Sequence, residues 1–491
     1  MTAEEKYLER VEKGIADGPF SDDWSSLSRM RTPAWFDEHR LGIFTHWGIY
    51  SVPAHANEWY SRNMYRLGDE ALEYHTKAYG SPKDFGYKDF IPEFTAKRFD
   101  ADEWLELFRE AGAGYYFPVA EHHDGFQMYD SELSDWCAAK MGPKRDVLAE
   151  LKSACEKANL HFCASSHRAE HWFFMGVGKE IESDIHEPLK KGDFYWPSMP
   201  DVNFEDRCSV PAPTAEYLND WLARTAEIIE KYQPELLYFD WWIHHEAFIP
   251  YLKKLAAFYY NRGAVWGRDV SICYKQDAMA FGTGIFEVER GGLVEQKAFR
   301  WQTDTAAARN SWCYTDSLIY KPAREIIGNL VDAVSRNGNL LLNIGPRADG
   351  TIAEGDRQIL KELGAWMRVN KEAIDGSRPW RISSEGPTCG KEGQFTDTEE
   401  PPFTSEDYRF TTRDGNVYAI CMKCPANGEF SVKSFRDSFD PARRKAHMLI
   451  DKVDVLGYNG RIDWKVDEEA LHVSAPGISS DHPVTIRVKV R

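Results

Sequence analysis

The chain of 491 residues carries 60 Lys and Arg against 78 Asp and Glu, a formal net charge of −18. That balance argues against nucleic acid or an anionic membrane as partner, since both need clustered cations, and no apolar run approaches the roughly 18 residues of a membrane span. With 43% hydrophobic and 28% charged residues and no low-complexity tract, this is a folded protein long enough for more than one domain.

Aromatics reach 14%, with 17 Trp, which fits a large core or sugar-stacking surfaces. The N-terminus "MTAEEKYLERVEKGIADG" is charged and helix-like, without the apolar centre of a signal peptide. The chain as written therefore reads as cytoplasmic; a leader removed from it would make it periplasmic or secreted. Nine Cys are scattered, and the CxxC of Cys421 and Cys424 has no second pair at zinc-finger distance. Reduced thiols are expected, with no cofactor.

In chain order, "LGIFT" reads as a strand that delivers His46 and Trp47, and "NEWY" follows with Glu58 and Trp59. In 101–111, Trp104, Leu107, Phe108 and Ala111 hold helical spacing, Gly112 and Gly114 break it, and the strand "YYFPVA" leads into "EHHDGF". Leu148, Leu151, Cys155 and Ala158 repeat the pattern ahead of "HFCAS" and "SHRAEHW". Leu218, Trp221, Leu222, Thr225, Ile228, Ile229 and Tyr232 make a third helical face, Pro234 stops it, and "ELLYF" delivers Asp240. A fourth unit runs from "AREIIGNLVDAVSRNG" into "NLLLNI".

Helices alternating with short, continuously apolar strands predict a parallel sheet covered on both faces. Chemically loaded residues at successive strand ends match the mouth of a (β/α)8 barrel, and no Gly-rich phosphate turn supports an open sheet. Beyond about residue 380, short alternating runs such as "RFTTRDGNVYAICMKC" and "VTIRVKV" predict an antiparallel β-sandwich. The predicted fold is thus α/β: a (β/α)8-like TIM barrel over 1–375, followed by a β-sandwich domain over 376–491.

A lone carboxylate after a buried strand is costly unless it has a task, which singles out Asp240. Glycoside cleavage needs a second carboxyl; "GIFEVERGG" offers Glu287 and Glu289, which alternation points to the same side. A surface Glu paired with Arg290 is the plain alternative for either. Side by side after a strand, His122 and His123 fit neutral hydrogen-bonding to a polyhydroxylated ligand. A metal site would need converging ligands, yet "FTHWG" has Gly48 where a metal-dependent barrel hydrolase carries its second His, so no metal is expected. Aromatics beside acids and His, as in His46–Trp47 and Glu58–Trp59, are sugar-site chemistry.

Together, "LGIFTHWGIYSVPAHANEWY", "AEHHDGF", "PELLYFDWW", "ERGG", "WQTDTAAARNSWCY" and "SRNGNLLLNIGPRADGTI" resemble glycoside hydrolase family 29, the α-L-fucosidases, from about residue 25 to 380. The C-terminal part resembles that family's usual second domain. The resemblance implies exo-acting, retaining hydrolysis of terminal α-L-fucosides on a fucosylated oligosaccharide or glycoside. It implies Asp240 as nucleophile and Glu289 as acid/base, with Glu287 in reserve. It implies a fucose pocket of His46, Glu58, Trp59, His122 and His123, with Trp47, Trp59 or Trp312 against the methyl face. Tyr238 stands where many members have Trp, Cys313 departs from the common "SWGY", and His167 and His171 are further pocket candidates. The rivals are a retaining glycosidase for a related sugar, such as a D-arabinoside or β-galactoside, a non-catalytic carbohydrate-binding protein, and a metal-dependent barrel hydrolase. Linkage preference and a homo-oligomeric state stay open.

Overall fold

The computed structural model describes residues 1–186, 188–397, 402–437 and 449–491. Nine strands run parallel: β1 (Leu41–Thr45), β2 (Tyr115–Glu121), β3 (His161–Phe162), β4 (Ala164–Ser166), β5 (Leu236–Phe239), β6 (Ser271–Lys275), β7 (Ile285–Glu289), β8 (Trp301–Ala306) and β9 (Gly338–Ile344). β3 and β4 are one broken staircase beside β2, so eight positions surround the axis, and β1 closes the ring by pairing with both β2 and β9. A (β/α)8-like barrel is therefore what the apolar strands build, because helices cover the sheet on one side and its own interior covers it on the other.

The helices start and stop where their caps dictate. Thr214 accepts from the Tyr217 N–H at the start of Ala215–Tyr232, and Gln233 leaves that helix in a left-handed conformation just before Pro234. Asp146 caps Val147–Ala158 in the same way, and Asn159 ends it left-handed. Inside the ring, Phe44, Tyr115, Phe117, Leu236, Tyr238 and Leu341 form a packed core, so the barrel has a floor beneath its mouth rather than a pore.

β1 and β5, with Tyr115–Ala120 of β2 and Leu340–Leu342 of β9, are apolar runs; β8 differs, since Gln302 and Asp304 are buried inside it. They are satisfied there: the Tyr115 hydroxyl donates to Gln302 at 2.8 Å and the Tyr238 hydroxyl to Asp304 at 2.6 Å.

After the helix Glu354–Ile374 the chain becomes antiparallel: β10 (Arg378–Glu385), β11 (Tyr408–Arg413), β12 (Asn416–Cys421), β13 (Glu429–Val432), β14 (Ile450–Val455), β15 (Asp463–Val466), β16 (Leu471–Ser474) and β17 (Val484–Val490). Five of these form the sheet β10-β11-β12-β17-β14 and three the sheet β13-β16-β15, packed over a shared core that includes Phe410, Val417, Phe430 and Leu471. The larger sheet is apolar on both faces. Val417, Ala419 and Cys421 face the sandwich, whereas Tyr418, Ile420 and Met422 join the core of the barrel's helices. Trp366 Nε1 donates to the Pro483 carbonyl at 2.8 Å and the Thr411 hydroxyl to Ala373 at 2.7 Å across this contact. All nine cysteines are unpaired, Cys421 and Cys424 of the CxxC among them, and burial pushes the Cys421 thiol up to about 12. Among the described residues no helix is long and apolar enough to cross a membrane.

Candidate active site

Seven of the barrel strands, β1, β2 and β4–β8, hand one or two polar side chains each to a cavity of about 230 Å³ at the C-terminal mouth. His46 follows β1, His122 and His123 follow β2, His167 follows β4, and Asp240 with Trp241 follows β5. β6 ends on Lys275 and β7 on Glu289, while β8 carries Asp304. Glu58, Trp59 and Trp312 come from loops above β1 and β8, and Phe395 from the segment after β10.

Asp240 is surrounded by donors. Lys275 Nζ lies 2.8 Å from Oδ1, His167 Nδ1 donates to Oδ2 at 2.9 Å, and His123 Nε2 is 3.4 Å from Oδ2. Burial opposes its ionisation, but Lys275, His167 and His123 outweigh burial and hold the carboxyl well below the usual range. Lys275 also contacts Glu289 Oε2 at 2.5 Å. Those two distances to one nitrogen cap the separation of the two carboxyl oxygens at their sum, 5.3 Å. Glu289 behaves oppositely. Burial raises it to about 7; Lys275 pulls it down, and Asp240 and Asp304 push it back up. Two carboxyls at one mouth are thus driven apart in acidity, one ionised and one protonated near neutrality, which is the arrangement acid/base chemistry needs.

The histidines divide as well. His46 donates from Nδ1 to Asn343 Oδ1 at 2.7 Å, leaving Nε2 as an acceptor, and burial holds it neutral. Burial likewise depresses His122, and His167 to about 4. His123 departs from the neutral state expected for it. Burial lowers it, but Glu170, 3.8 Å from Nδ1, and Asp240 more than offset burial and raise it to about 9. Glu170 itself is raised to about 7 by burial, against the pull of His123.

Of the residues singled out in the sequence, His46, Glu58, Trp59, His122, His123, His167, Tyr238, Asp240, Glu289 and Trp312 all line this cavity. Trp47 does not, which corrects its reading as a pocket aromatic. Its ring packs among Phe94, Phe99 and Trp104 and its Nε1 donates to the Arg347 carbonyl, because the chain turns after His46 and sends the next side chain out to the helix layer. Glu287 is also outside the cavity, one layer down inside the barrel, where Gln302 Nε2 donates to it at 2.8 Å. His171 lies behind the wall, with its two ring nitrogens against the carbonyls of His123 and Trp196.

Lys275, Glu170, Asp304, Trp241 and Phe395 line the cavity without having been singled out. For Lys275 a signal existed: it ends the run "SICYK" as Asp240 follows "ELLYF". Phe395 had none, since it lies in the polar, turn-rich stretch beyond the barrel.

Two triads bring one ligand atom per residue within 4.8 Å: His46, His122 and His167, and His123, His167 and Asp240. In the second, both Asp240 oxygens are already engaged by Lys275, His167 and His123, so its carboxylate is committed to donors of the protein rather than held open for a metal.

A barrel mouth with one ionised and one protonated carboxyl, walled by aromatics and hydrogen-bonding imidazoles, belongs to the glycoside hydrolase class. A family model described as alpha-L-fucosidase matches residues 8–372, and one described as the alpha-L-fucosidase C-terminal domain matches 402–487. The tissue alpha-L-fucosidase of Mus musculus is 31% identical over 473 residues, covering 94% of this chain and 92% of that protein. The tissue alpha-L-fucosidase of Homo sapiens is 29% identical, covering 95% and 90%. The crystal structure of Thermotoga maritima alpha-fucosidase superposes with a TM-score of 0.73 at 26% identity, covering 96% of this chain and all of that one; the same holds for its complex with fucose. The chain belongs to the alpha-L-fucosidase family.

Proposed function

We propose that this mouth hydrolyses terminal α-L-fucosides with retention, through a covalent fucosyl–Asp240 intermediate. Ionised Asp240 attacks the anomeric carbon while protonated Glu289 donates to the departing glycosidic oxygen; Glu289 then takes a proton from the water that frees fucose. The observation that carries this reading is the single ammonium shared by the two carboxyls. Their nearest oxygens are within 5.3 Å, which suits direct attack and leaves too little room for the water an inverting enzyme holds between carboxyls about 6.5–9.5 Å apart. Glu289 is preferred to Glu287 as acid/base because only Glu289 lines the cavity.

His46 and His122 are assigned to the sugar hydroxyls as neutral groups, cationic His123 to a hydroxyl next to Asp240, and Trp59 and Trp312 to the apolar face of the ring. The division into a barrel over 1–375 and a sandwich over 376–491 is supported by the change from the helix ending at Ile374 to the antiparallel strand starting at Arg378. The sandwich is assigned a buttressing role, since its larger sheet is covered by the barrel's helices on one face and by the smaller sheet on the other.

The test is release of p-nitrophenol from the α-L-fucoside against a panel of other p-nitrophenyl glycosides, with the anomer of the first-formed fucose read by NMR. α-Fucose released from the fucoside alone is the expected result; β-fucose would overturn retention, and equal release from other glycosides would overturn the sugar assignment.

A further inference from the structure

Phe395 is a large apolar side chain with 53% of its surface exposed, yet it lines the same cavity as Asp240 and Glu289. Its ring lies 6.0 Å from that of Trp241 with the planes within 13°, inside the range of offset stacking. Trp241 in turn donates from Nε1 to Glu289.

The backbone around Phe395 is fastened to the strand that carries Glu289. Gly393 and Gly292 exchange hydrogen bonds at 2.9 and 3.3 Å, the Gln394 side chain accepts from the Glu289 N–H, and the Phe395 N–H donates to the Glu289 carbonyl at 2.8 Å. Asp397 anchors the far end on Lys321 and Arg290. Phe395 itself sits at φ +57°, a conformation unfavourable to a bulky side chain that persists where surrounding bonds impose it. The segment thus holds an aromatic ring open to solvent at a fixed place beside the acid/base.

Resting on the fucosidase reading, we propose that Phe395 and Trp241 form the subsite for the leaving group, and that it takes a pyranose ring presenting a C–H face. Glu289 protonates the oxygen between fucose and its leaving group, so side chains on the solvent side of Glu289 meet the departing sugar. An exposed face of Phe395 offers that sugar the stacking surface that neutral rings use. Part of the specificity for the leaving group would then be supplied by the segment beyond the barrel that carries Phe395, while the barrel supplies Trp241 and the chemistry.

The experiment compares wild type with Phe395→Ala and Phe395→Trp on two substrates: the fucosyl disaccharide that wild type cleaves fastest in a linkage panel, and α-L-fucosyl fluoride, whose leaving ion has no ring to stack. Phe395→Ala is expected to lower kcat/KM for the disaccharide about tenfold relative to the fluoride, the size of one aromatic contact, with Phe395→Trp restoring it. An equal fall on both substrates would mean that the segment only supports Glu289 and would overturn the subsite, as would no fall on either. A wild type that hydrolyses the fluoride but no disaccharide also overturns it. A wild type inert on both removes the fucosidase reading itself, which separates the two failures.

Discussion

Asp240 and Glu289 share one ammonium, that of Lys275, at 2.8 and 2.5 Å. The cation favours the charged form of both carboxyls, so its removal should shift the titration of both toward higher pH. Lys275→Met is expected to lower kcat by about a hundredfold or more and to move both limbs of the pH–kcat/KM profile upward. A profile unmoved in position would show that Lys275 only fills space.

Glu289 is raised to about 7 and acts in its protonated form, whereas Asp240 lies well below the usual carboxylate range and acts ionised. The rate of the first step should therefore fall as pH climbs through about 7 and fall again only at strongly acidic pH. For a fucoside whose aryl leaving group needs no proton, Glu289→Gln should abolish the alkaline decline. A decline that survives in that variant would assign the limb to Glu170, which is also raised to about 7.

Asp240→Ala should cost at least a thousandfold in kcat, as loss of a nucleophile does. Lys275 keeps Glu289 as a partner, so the far-ultraviolet circular dichroism and cooperative melting of the variant should persist. Retention of more than about a tenth of wild-type kcat would remove Asp240 from its role.

Trp47 and Trp312 make contrasting probes. Trp47, buried among Phe94, Phe99 and Trp104, should cost about 3–5 kcal/mol of stability when replaced by Ala. Trp312, which lines the cavity and is half-buried, should show a smaller loss of stability and a raised KM. Equal effects on melting from both variants would contradict these placements.

Activity should be unchanged after dialysis against EDTA, because Lys275 and His123 already balance the charge on Asp240. Loss of activity restored by a divalent ion would instead place that ion on His46, His122 and His167.

The barrel was legible because β1, β5, Tyr115–Ala120 of β2 and Leu340–Leu342 of β9 are buried on both faces and read as apolar runs. β8 was not legible as a strand: Gln302 and Asp304 face the barrel interior, and their partners, the Tyr115 and Tyr238 hydroxyls, come from strands 187 and 66 residues away. Asp240 was visible as a charge at the end of an apolar run, and the paired histidines as polar groups after another. Trp47 misled because adjacency to His46 in sequence says nothing about which side of the sheet the next side chain takes after a turn.

By itself, the sequence determined the period of each helix, the order of strands and the residues placed at strand ends, because those follow from local spacing and burial pattern. It also carried the family motifs. Only the tertiary structure decided the state of each group. Whether Glu289 or Glu287 meets the cavity, that Lys275 joins two carboxyls, that His123 is cationic while His122 is neutral, and that Phe395 returns from beyond the barrel to the acid/base all depend on closing the ring. Charge and acidity are set by distances across that ring, and those distances have no counterpart along the chain.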